Sequence, residues 1–441
     1  MRSSHVLPLG ILSSFNVWPP REAAVGQFSN FKSSFGGLKY QTQMKITFLL
    51  LFFSLTINCY SQKPKQVLEW INTVRSDSKD FYFEIPFEYR NNQIVIKVTI
   101  GNKAYDYIFD TGGYNDITDD IQKINNFPIL TTQTVGSANG IKSKINIVRV
   151  DSLTIGELTF KDIAALQMNF ANSPTVKCTI DGALIGASII KNYIWQIDYS
   201  RNKIIVTDQL SKIPKLNEAI KIPVTFNSRL MPFINATIDG KKERFMFDLG
   251  SSTQFSLTEK SASKYTSNKK LIELIGIGSE GGNGTVVQNA RVFKADSFEI
   301  LSIKYKDKPI LYSPSGVENL IGNPIIRDFI VTLNFKHSEM YLLPIANDTL
   351  AEGWETFGFI AEYKNEKILV TSIFKGLSAD KAGLKIDDEI IAVNGTKIHC
   401  KDFCDCMLYI SKMLTENTRL IIDLKNGQTE KQLIILKEQV F

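Results

Sequence analysis

Two apolar segments, one in each half of the chain, end at an aspartate that leads into a glycine turn. Residues 107–109 precede Asp110 and residues 245–247 precede Asp248. An alternating apolar segment and a short turn come before each of them, which is the pattern of a β-hairpin. The sequence therefore predicts that two equivalent hairpins each deliver one aspartate.

A second apolar element, which ends in glycine, is also repeated. Residues 184–186 and residues 320–322 both read Leu-Ile-Gly, and an apolar strand follows each of them. The two aspartates are 138 residues apart, and the two glycines are 136 residues apart. Because this offset hardly changes along the chain, the pattern indicates an internal duplication on the scale of a lobe.

A pair of carboxyl groups has a chemistry of its own. Two like charges held a few ångströms apart cannot both ionise easily, so the pair shares a proton and can act as a base and an acid together. This chemistry needs no metal, cofactor or nucleophilic side chain. The chain has only three histidines, which disfavours a Ser-His or Cys-His hydrolase.

With these two repeated elements the chain resembles the aspartyl proteases, over about residues 81–343. The resemblance implies a mainly β fold in which two homologous β-barrel lobes of the acid protease fold are followed by a further domain. It assigns Asp110 and Asp248 to a catalytic dyad that needs no cofactor. It also implies that the turns around the two aspartates are supported by Thr111, Gly112, Gly186, Gly250, Ser251 and Gly322.

Two positions depart from that family pattern. Leu249 has no hydroxyl group with which to brace the opposite lobe, as Thr111 can, and Gly113 lacks the hydroxyl group that Ser251 offers. These departures leave an alternative open, in which the lobes have lost catalysis and the aspartates only hold the turns together.

Each half also contains a glycine-bearing hairpin about 26 to 28 residues after its aspartate. The first includes Gly136 and Gly140, and the second includes Gly278 and Gly281. Two equivalent hairpins resemble the retropepsin arrangement written in one chain. We expect them to close as flaps over an extended peptide, the alternative being plain turns between strands.

The pattern changes after a linker near residues 346–353. A Phe-Gly-Phe turn at 357–359 enters a strand, and residues 390–395 read Ile-Ile-Ala-Val-Asn-Gly. From about 353 to 441 the chain resembles a PDZ domain, a small β-barrel with helices. The resemblance implies a groove that takes an extended peptide or a C-terminus as an added strand. The residues that it assigns to the carboxylate loop are Phe357, Gly358, Phe359 and Ile360.

The start of the chain has the pattern of an export signal. Met44 and Lys45 precede a run of about a dozen apolar residues, with small residues behind it, which is typical of a secretory signal peptide at 44–61. We expect residues 1–43 to be a non-native or disordered extension. The protein is then exported to the periplasm or cell envelope, or secreted, and attachment to a membrane follows only if Cys59 carries a lipid.

Charge and cysteine content add two expectations. The net charge is +6, and five basic residues but one acidic residue lie before Ser61, so no basic patch argues for a nucleic acid partner. Three cysteines cluster beside His399, and a fourth, Cys178, lies in the first half. We expect an oxidised pair or a buried helix face here, and no metal site.

The sequence thus predicts a first lobe at 80–212, a second lobe at 218–345 and a PDZ domain at 353–441. The predicted function is that of an aspartic endopeptidase that cleaves peptides or unfolded proteins, with the PDZ domain recruiting or gating them. The alternative is a catalytically inactive envelope scaffold that binds peptides through its PDZ domain.

Overall fold

The computed structural model describes residues 15–16, 64–300, 303–345, 354–427 and 429–441. The predicted signal peptide at 44–61, with Cys59, lies outside the described residues, as do most of the 1–43 extension and all of the linker residues 346–353.

Helices are short, and strands dominate the described part of the chain. The α-helices are α1 (Pro64–Asn72), α2 (Asp119–Asn125), α3 (Pro174–Thr179), α4 (Ala187–Ile190), α5 (Glu259–Ala262), α6 (Asn323–Ile326), α7 (Ser378–Lys381) and α8 (Phe403–Glu416). Short 3-10 helices occupy Phe170–Asn172, Leu210–Lys212, Leu216–Glu218 and Phe335–His337.

The strands up to the middle of the chain are β1 (Phe15–Asn16), β2 (Tyr82–Pro86), β3 (Glu88–Arg90), β4 (Gln93–Ile100), β5 (Lys103–Phe109), β6 (Asp116–Thr118), β7 (Ile129–Ser137), β8 (Lys142–Ile155), β9 (Leu158–Met168), β10 (Leu184–Ile185), β11 (Ile194–Asp198) and β12 (Lys203–Thr207). Those of the second half are β13 (Ile220–Pro223), β14 (Thr225–Phe226), β15 (Pro232–Ile238), β16 (Lys241–Asp248), β17 (Phe255–Thr258), β18 (Leu271–Gly281), β19 (Gly284–Ile300), β20 (Ile303–Ser313), β21 (Leu320–Gly322), β22 (Phe329–Asn334) and β23 (Glu339–Pro344).

The C-terminal part adds β24 (Glu355–Thr356), β25 (Phe359–Lys364), β26 (Lys367–Phe374), β27 (Glu389–Val393), β28 (Thr396–Lys397), β29 (Arg419–Asn426), β30 (Thr429–Leu436) and β31 (Glu438–Gln439).

The duplication that the sequence predicts is visible in the way each aspartate is delivered. Strands β4 and β5 form one antiparallel hairpin, and β15 and β16 form the equivalent one. The apolar-apolar-Gly elements then pair in parallel with the aspartate strands, β10 with β5 and β21 with β16. In the second half this register sets Asp248 directly beside Gly322.

A six-stranded sheet joins the two halves and has the same internal symmetry. Its order is β13-β23-β22-β11-β12-β2, so each half contributes three strands in equivalent positions. The central contact is the antiparallel pair β11 and β22, in which Gln196 donates a hydrogen bond to Thr332 across the junction. This shared sheet fixes the two halves relative to each other.

The sheets of the described residues are open, so the closed β-barrels in the predicted fold class are not found. The fourteen-stranded sheet of the second half continues from β18 into β26 of the C-terminal part. Because β26 occupies an edge of β18, that edge is not free to pair with another strand of the same half and close a barrel. The mainly β character of the prediction is confirmed.

The cores follow the same division. One apolar cluster runs through both halves and includes the fully buried Phe109 and Trp195, whose ring centroids are 5.2 Å apart. A second, around Val370 and Leu420, fills the C-terminal part. A third cluster lies between that part and the hairpin β18–β19. Full burial of each large apolar side chain stabilises the fold by about 1.5–3 kcal/mol.

Candidate functional site

Asp110 and Asp248 meet at the junction of the two halves, and both side chains are completely buried. Each accepts a hydrogen bond from the glycine amide two residues on, Gly112 to Asp110 at 2.7 Å and Gly250 to Asp248 at 2.9 Å. Burial raises the pKa of Asp110 well above its usual value, and the neighbouring Asp248 raises it further. The geometry is that of a carboxyl pair that shares a proton.

The glycines around the pair leave room for it. A Cβ atom on Gly112 would lie 2.5 Å from the Asp248 carboxyl carbon, and one on Gly250 would collide with the Asp110 carboxyl group. A Cβ atom on Gly113 would lie 2.5 Å from Asp110 Oδ2. The glycine at 113, a departure from the family pattern, therefore makes space for the Asp110 side chain.

Three cross-junction hydrogen bonds hold the turn after Asp248, and they are not symmetric. Thr111 Oγ1 donates to the Phe247 carbonyl at 2.6 Å and accepts from the Leu249 amide at 3.0 Å. Leu249 has no hydroxyl group to return this contact. Gln93 instead crosses from the first half and donates its side-chain amide to the Gly250 carbonyl at 2.8 Å.

The apolar-apolar-Gly elements pack against the aspartate turns. The Gly186 amide donates to Asn115 Oδ1, and a Cβ atom on Gly186 would collide with the main chain of Tyr114. In the second half the Gly322 amide donates to the Gln254 carbonyl. Ser251 is buried, and its hydroxyl oxygen accepts from the Thr253 amide rather than reaching a carboxylate.

An asparagine after Gly322 adds a further link that sequence reasoning missed. Asn323 donates to the Leu249 carbonyl and accepts from the Tyr199 hydroxyl group of the first half. With Gln93, it ties the Asp248 turn to the other half of the molecule. The signal in the sequence was an asparagine immediately after the second Leu-Ile-Gly element.

The hairpin β7–β8 with Gly136 and Gly140 and the hairpin β18–β19 with Gly278 and Gly281 meet at their tips. Asn139 donates two hydrogen bonds into the second tip, to the carbonyl groups of Ser279 at 2.7 Å and Gly284 at 2.8 Å. Asn283 returns two, both at 3.0 Å, to carbonyl groups of the first tip. The two hairpins are therefore interlocked at their tips, and this pair of tips is called the cover below.

The signal for these contacts is an Asn-Gly pair at each hairpin tip, of which the sequence analysis used only the glycines. Gly140 and Gly284 have φ angles of +84° and +119°, which an L side chain rarely adopts. Glycine at these turns lets each preceding asparagine face the opposite hairpin.

The second tip is also held by the segment around α3 of the first half. Ser173 donates its hydroxyl group to the Gly281 carbonyl at 2.7 Å, and the Val176 amide donates to Glu280 at 3.2 Å. Burial raises the pKa of the Glu280 carboxyl group to about 6, against the lowering effect of the amide hydrogen bonds that it accepts.

The loop predicted to hold a carboxylate lies at the start of β25. Phe357 and Phe359 are buried, and Gly358 has a φ of +84°. The Gly358 amide donates to Thr356 Oγ1 at 3.1 Å. The side chain of Ile360 packs against the apolar cluster between the C-terminal part and the β18–β19 hairpin.

All described ladder pairs of β25 are with β26, and helix α8 packs along β25. The rings of Tyr363 on β25 and Phe403 on α8 have centroids 6.4 Å apart. The described residues thus leave one edge of β25 without a ladder partner, and α8 lies beside that strand.

Three buried serine hydroxyl groups near the hairpin tips and the aspartate turns are already bonded. Ser137 donates to Asn139, Ser173 donates to a main-chain carbonyl, and Ser188 accepts from Asn115. The partners of these three hydroxyl groups are thus amide groups and a carbonyl, not a lysine or histidine that could activate a serine.

The cysteines form two disulfides, Cys178–Cys404 and Cys400–Cys406. The oxidised state expected for this cluster is therefore present, with the first-half Cys178 as one of the partners. Within the described ranges there is no group of three or more histidine, cysteine, aspartate or glutamate side chains placed to bind a metal. No helix among those described is long and apolar enough to cross a membrane.

Comparison with known proteins identifies the C-terminal part. Residues 352–400 match the family model described as PDZ domain. The chain is 33% identical over 140 residues to the carboxy-terminal processing protease CtpB of Bacillus subtilis. The matched region covers 31% of this chain and 27% of CtpB.

Probable CtpA-like serine proteases of Staphylococcus aureus, among them those of strains COL and N315, are 30% identical over 94 residues. That match covers 21% of this chain and 18% of each relative. The chain thus spans less than a third of the length of the curated relatives that it matches.

These relatives correct the predicted reaction type. CtpA-like proteins are named serine proteases, not aspartyl proteases, so the prediction of an aspartic-type, retropepsin-like endopeptidase is contradicted. The prediction rested on short aspartate, glycine and apolar motifs, and such motifs also serve to hold a turn. The individual site assignments stay predictions, whereas the presence of a PDZ domain in the C-terminal part is confirmed.

Proposed function

We propose that this protein acts in the processing of polypeptides. Its PDZ domain binds an extended segment or the C-terminus of a polypeptide substrate, and a peptide bond of that substrate is hydrolysed. Two observations support the proposal: the PDZ match at 352–400 and the similarity to proteins named as carboxy-terminal processing and CtpA-like proteases.

The observation that carries the binding step is the edge of β25 beside α8, which has no ladder partner among the described residues and which we take as the groove of the PDZ domain. An extended peptide placed there adds a strand to the sheet, so that main-chain hydrogen bonds give affinity while side chains on alternate positions give specificity. The ring of Phe403 on α8 provides apolar surface opposite the strand. The loop at 357–360 stands at the end of this groove, where a terminal carboxylate group would be received.

The closed cover over the aspartate pair is the second place proposed for a polypeptide. The two hairpin tips are predicted to close over Asp110 and Asp248, and on this proposal an extended segment enters when the tips separate. Closure of such elements over a bound segment excludes water and is common in enzymes that act on extended substrates.

An alternative function is peptide binding without hydrolysis, as an envelope scaffold. It is favoured by Leu249, which lacks the hydroxyl group of its counterpart Thr111, and by the engaged hydroxyl groups of Ser137, Ser173 and Ser188.

The two disulfides support an oxidising location, because disulfides persist in exported proteins and are rare in the cytosol. We therefore propose that the protein is exported and acts in the cell envelope or outside the cell.

The test compares binding and cleavage of unstructured peptides that carry a free or an amidated C-terminus. Wild type should bind the free-carboxylate peptides at least about tenfold more tightly, since an ionised group adds charge-assisted hydrogen bonds. Gly358→Ala should remove this preference, because its Cβ atom would lie 2.8 Å from the Leu377 Cβ atom at a φ of +84°.

Gly395→Ala is the matched control, since its φ is +78° but no atom lies within 4 Å of the added Cβ atom. Equal affinity for both peptide forms would refute carboxylate recognition. If a serine-directed sulfonyl fluoride abolishes cleavage, the reaction would be of the serine type named for the CtpA-like relatives. Tight binding without cleavage would favour the scaffold function.

A further inference from the structure

The PDZ domain and the flap hairpin β18–β19 share one sheet. Strand β26 pairs antiparallel with β18, with Phe374 opposite Leu274 and Ile373 opposite Ile275. Two more hydrogen bonds extend this contact, from the Lys375 amide to the Glu273 carbonyl at 2.8 Å and from Ser372 Oγ to the Gly276 carbonyl at 3.0 Å. The hairpin is thus attached to the PDZ domain by main-chain and side-chain hydrogen bonds.

An apolar cluster covers the same contact. Ile272, Leu274 and Ile277 of the hairpin pack with Trp354 and Phe374 of the PDZ domain, and all five side chains are buried. Burial of this kind stabilises a contact in proportion to the apolar area removed from water. The hairpin and the PDZ domain are therefore expected to move as one body.

The tip of the same hairpin is held by the first half of the chain. Ser173, which precedes α3, donates its hydroxyl group to the Gly281 carbonyl. Val176, within α3, donates its amide to the Glu280 carboxyl group. When the cover opens, these contacts break, and the combined body of hairpin and PDZ domain must shift away from α3.

A covalent bond spans the path of that shift. Cys178 lies in α3, Cys404 lies in α8 of the PDZ domain, and their Cα atoms are 5.4 Å apart in the disulfide. The bond therefore connects the element that holds the flap tip to the body that carries the flap base.

We infer that Cys178–Cys404 is a reducible latch, a modification site at which a dithiol reductant releases the contact between the β18–β19 hairpin tip and the first half of the chain. While the bond is intact, α3 and α8 cannot separate and the tip stays at the first half. When the bond is reduced, only hydrogen bonds hold the tip, and the cover can open.

The chemistry is thiol–disulfide exchange. A thiolate of the dithiol attacks one sulfur of the Cys178–Cys404 bond, the bond breaks, and a mixed disulfide forms while the other cysteine leaves as a thiolate that takes up a proton. The second thiol of the reductant then displaces the bound cysteine. The dithiol loses two electrons and becomes a disulfide, and both cysteines end as thiols. Cys404 is exposed, so the bond can be reached from solvent.

The second disulfide provides an internal control. Cys400 and Cys406 are six residues apart and both belong to the PDZ domain. Their bond connects no two bodies, so its loss should leave the cover closed.

The experiment measures amide hydrogen exchange across the two hairpin tips in the full chain, oxidised and after dithiothreitol treatment. Reduction should speed exchange of residues 277–287 at least about tenfold, and reoxidation should restore it. The Cys178→Ser/Cys404→Ser variant should exchange fast without reductant, whereas Cys400→Ser/Cys406→Ser should match the oxidised wild type. Alkylation followed by peptide mass mapping reports which of the two bonds is open, and circular dichroism reports that the fold is kept.

Unchanged exchange at the tips after the Cys178–Cys404 bond is open would overturn the latch. An equal increase in the Cys400→Ser/Cys406→Ser variant would also overturn it, because the effect would then be general loosening. If the Cys178→Ser/Cys404→Ser variant fails to fold, the reduced and reoxidised wild type still decides. Since the readout needs no peptide, it is independent of the proposed binding and hydrolysis.

Discussion

The carboxyl group of Asp110 is the most constrained titratable group at the junction of the two halves. It is completely buried, it faces a second buried carboxyl group on Asp248, and the glycines at 113 and 250 provide the space that it occupies. Both burial and the neighbouring carboxyl group raise its pKa. Such an arrangement costs stability when the pair ionises, so the free energy of unfolding should depend on pH.

The first prediction is that Asp110→Asn stabilises the protein at neutral pH. In the folded wild type Asp110 keeps its proton, whereas the unfolded chain releases it above pH 3.8. The contribution of this group to the free energy of unfolding is therefore present at low pH and is lost as pH rises toward the pKa of the folded state. Asparagine does not titrate, so the free energy of unfolding of the variant at pH 8 should exceed that of wild type by at least about 1 kcal/mol.

Urea unfolding at pH 4 and pH 8 checks this prediction. The exposed Asp151, replaced by asparagine, is the control and should change neither value by more than about 0.5 kcal/mol. A variant that loses stability at pH 8 would show that the ionised Asp110 is needed by the fold.

The hairpin tips are the elements in which two halves of the duplication act on each other. Asn139 and Asn283 each donate two hydrogen bonds to carbonyl groups of the opposite tip. Because the exchange is reciprocal, neither hairpin closes without the other. This contact joins the two tips that the sequence predicts to be flaps over the aspartate pair.

The second prediction concerns these asparagines. Asn139→Ala should weaken the tip contact by about 1–2 kcal/mol, because two hydrogen bonds are lost and the carbonyl groups that accepted them stay partly buried. Amide exchange at residues 279–284 should rise about tenfold. Asn146→Ala in the same hairpin is the control, since Asn146 bonds to Thr132 and Gln167 instead. Slow exchange in both variants would contradict the interlocked cover.

On the scale of the whole molecule, the PDZ domain is joined to the β18–β19 hairpin by a shared sheet. Its strand β26 continues the sheet of the flap hairpin, its Trp354 is buried against that hairpin, and its Cys404 is bonded to the first half. A peptide paired with the free edge of β25 would therefore be separated from β18 of the hairpin by two strands, β25 and β26.

The third prediction tests this integration. Trp354→Ala should destabilise the protein by about 3–5 kcal/mol, because a large side chain that is 2% exposed is removed from the contact between the PDZ domain and the hairpin. Leu408→Ala, at a position that is 55% exposed on α8, should cost little. Chemical unfolding followed by fluorescence measures both. A small effect of Trp354→Ala would mean that the PDZ domain docks independently of this cluster.

The sequence by itself determined the local structure. The strands that lead to Asp110 and Asp248, the repeated Leu-Ile-Gly elements and the PDZ segment were all predictable, because alternation, glycine turns and repeat spacing act over a few residues. The closed barrels and the aspartic type were wrong, since closure depends on strand edges and the reaction type on more than two short motifs.

Only the tertiary structure decided which distant groups meet. The Asn139–Asn283 interlock, the reach of Gln93 to Gly250 and the pairing of Cys178 with Cys404 join residues 144, 157 and 226 positions apart. Nothing in the local pattern encodes such separations, because a side chain's partner is set by how whole sheets pack. The docking of the PDZ domain on the flap hairpin has the same cause.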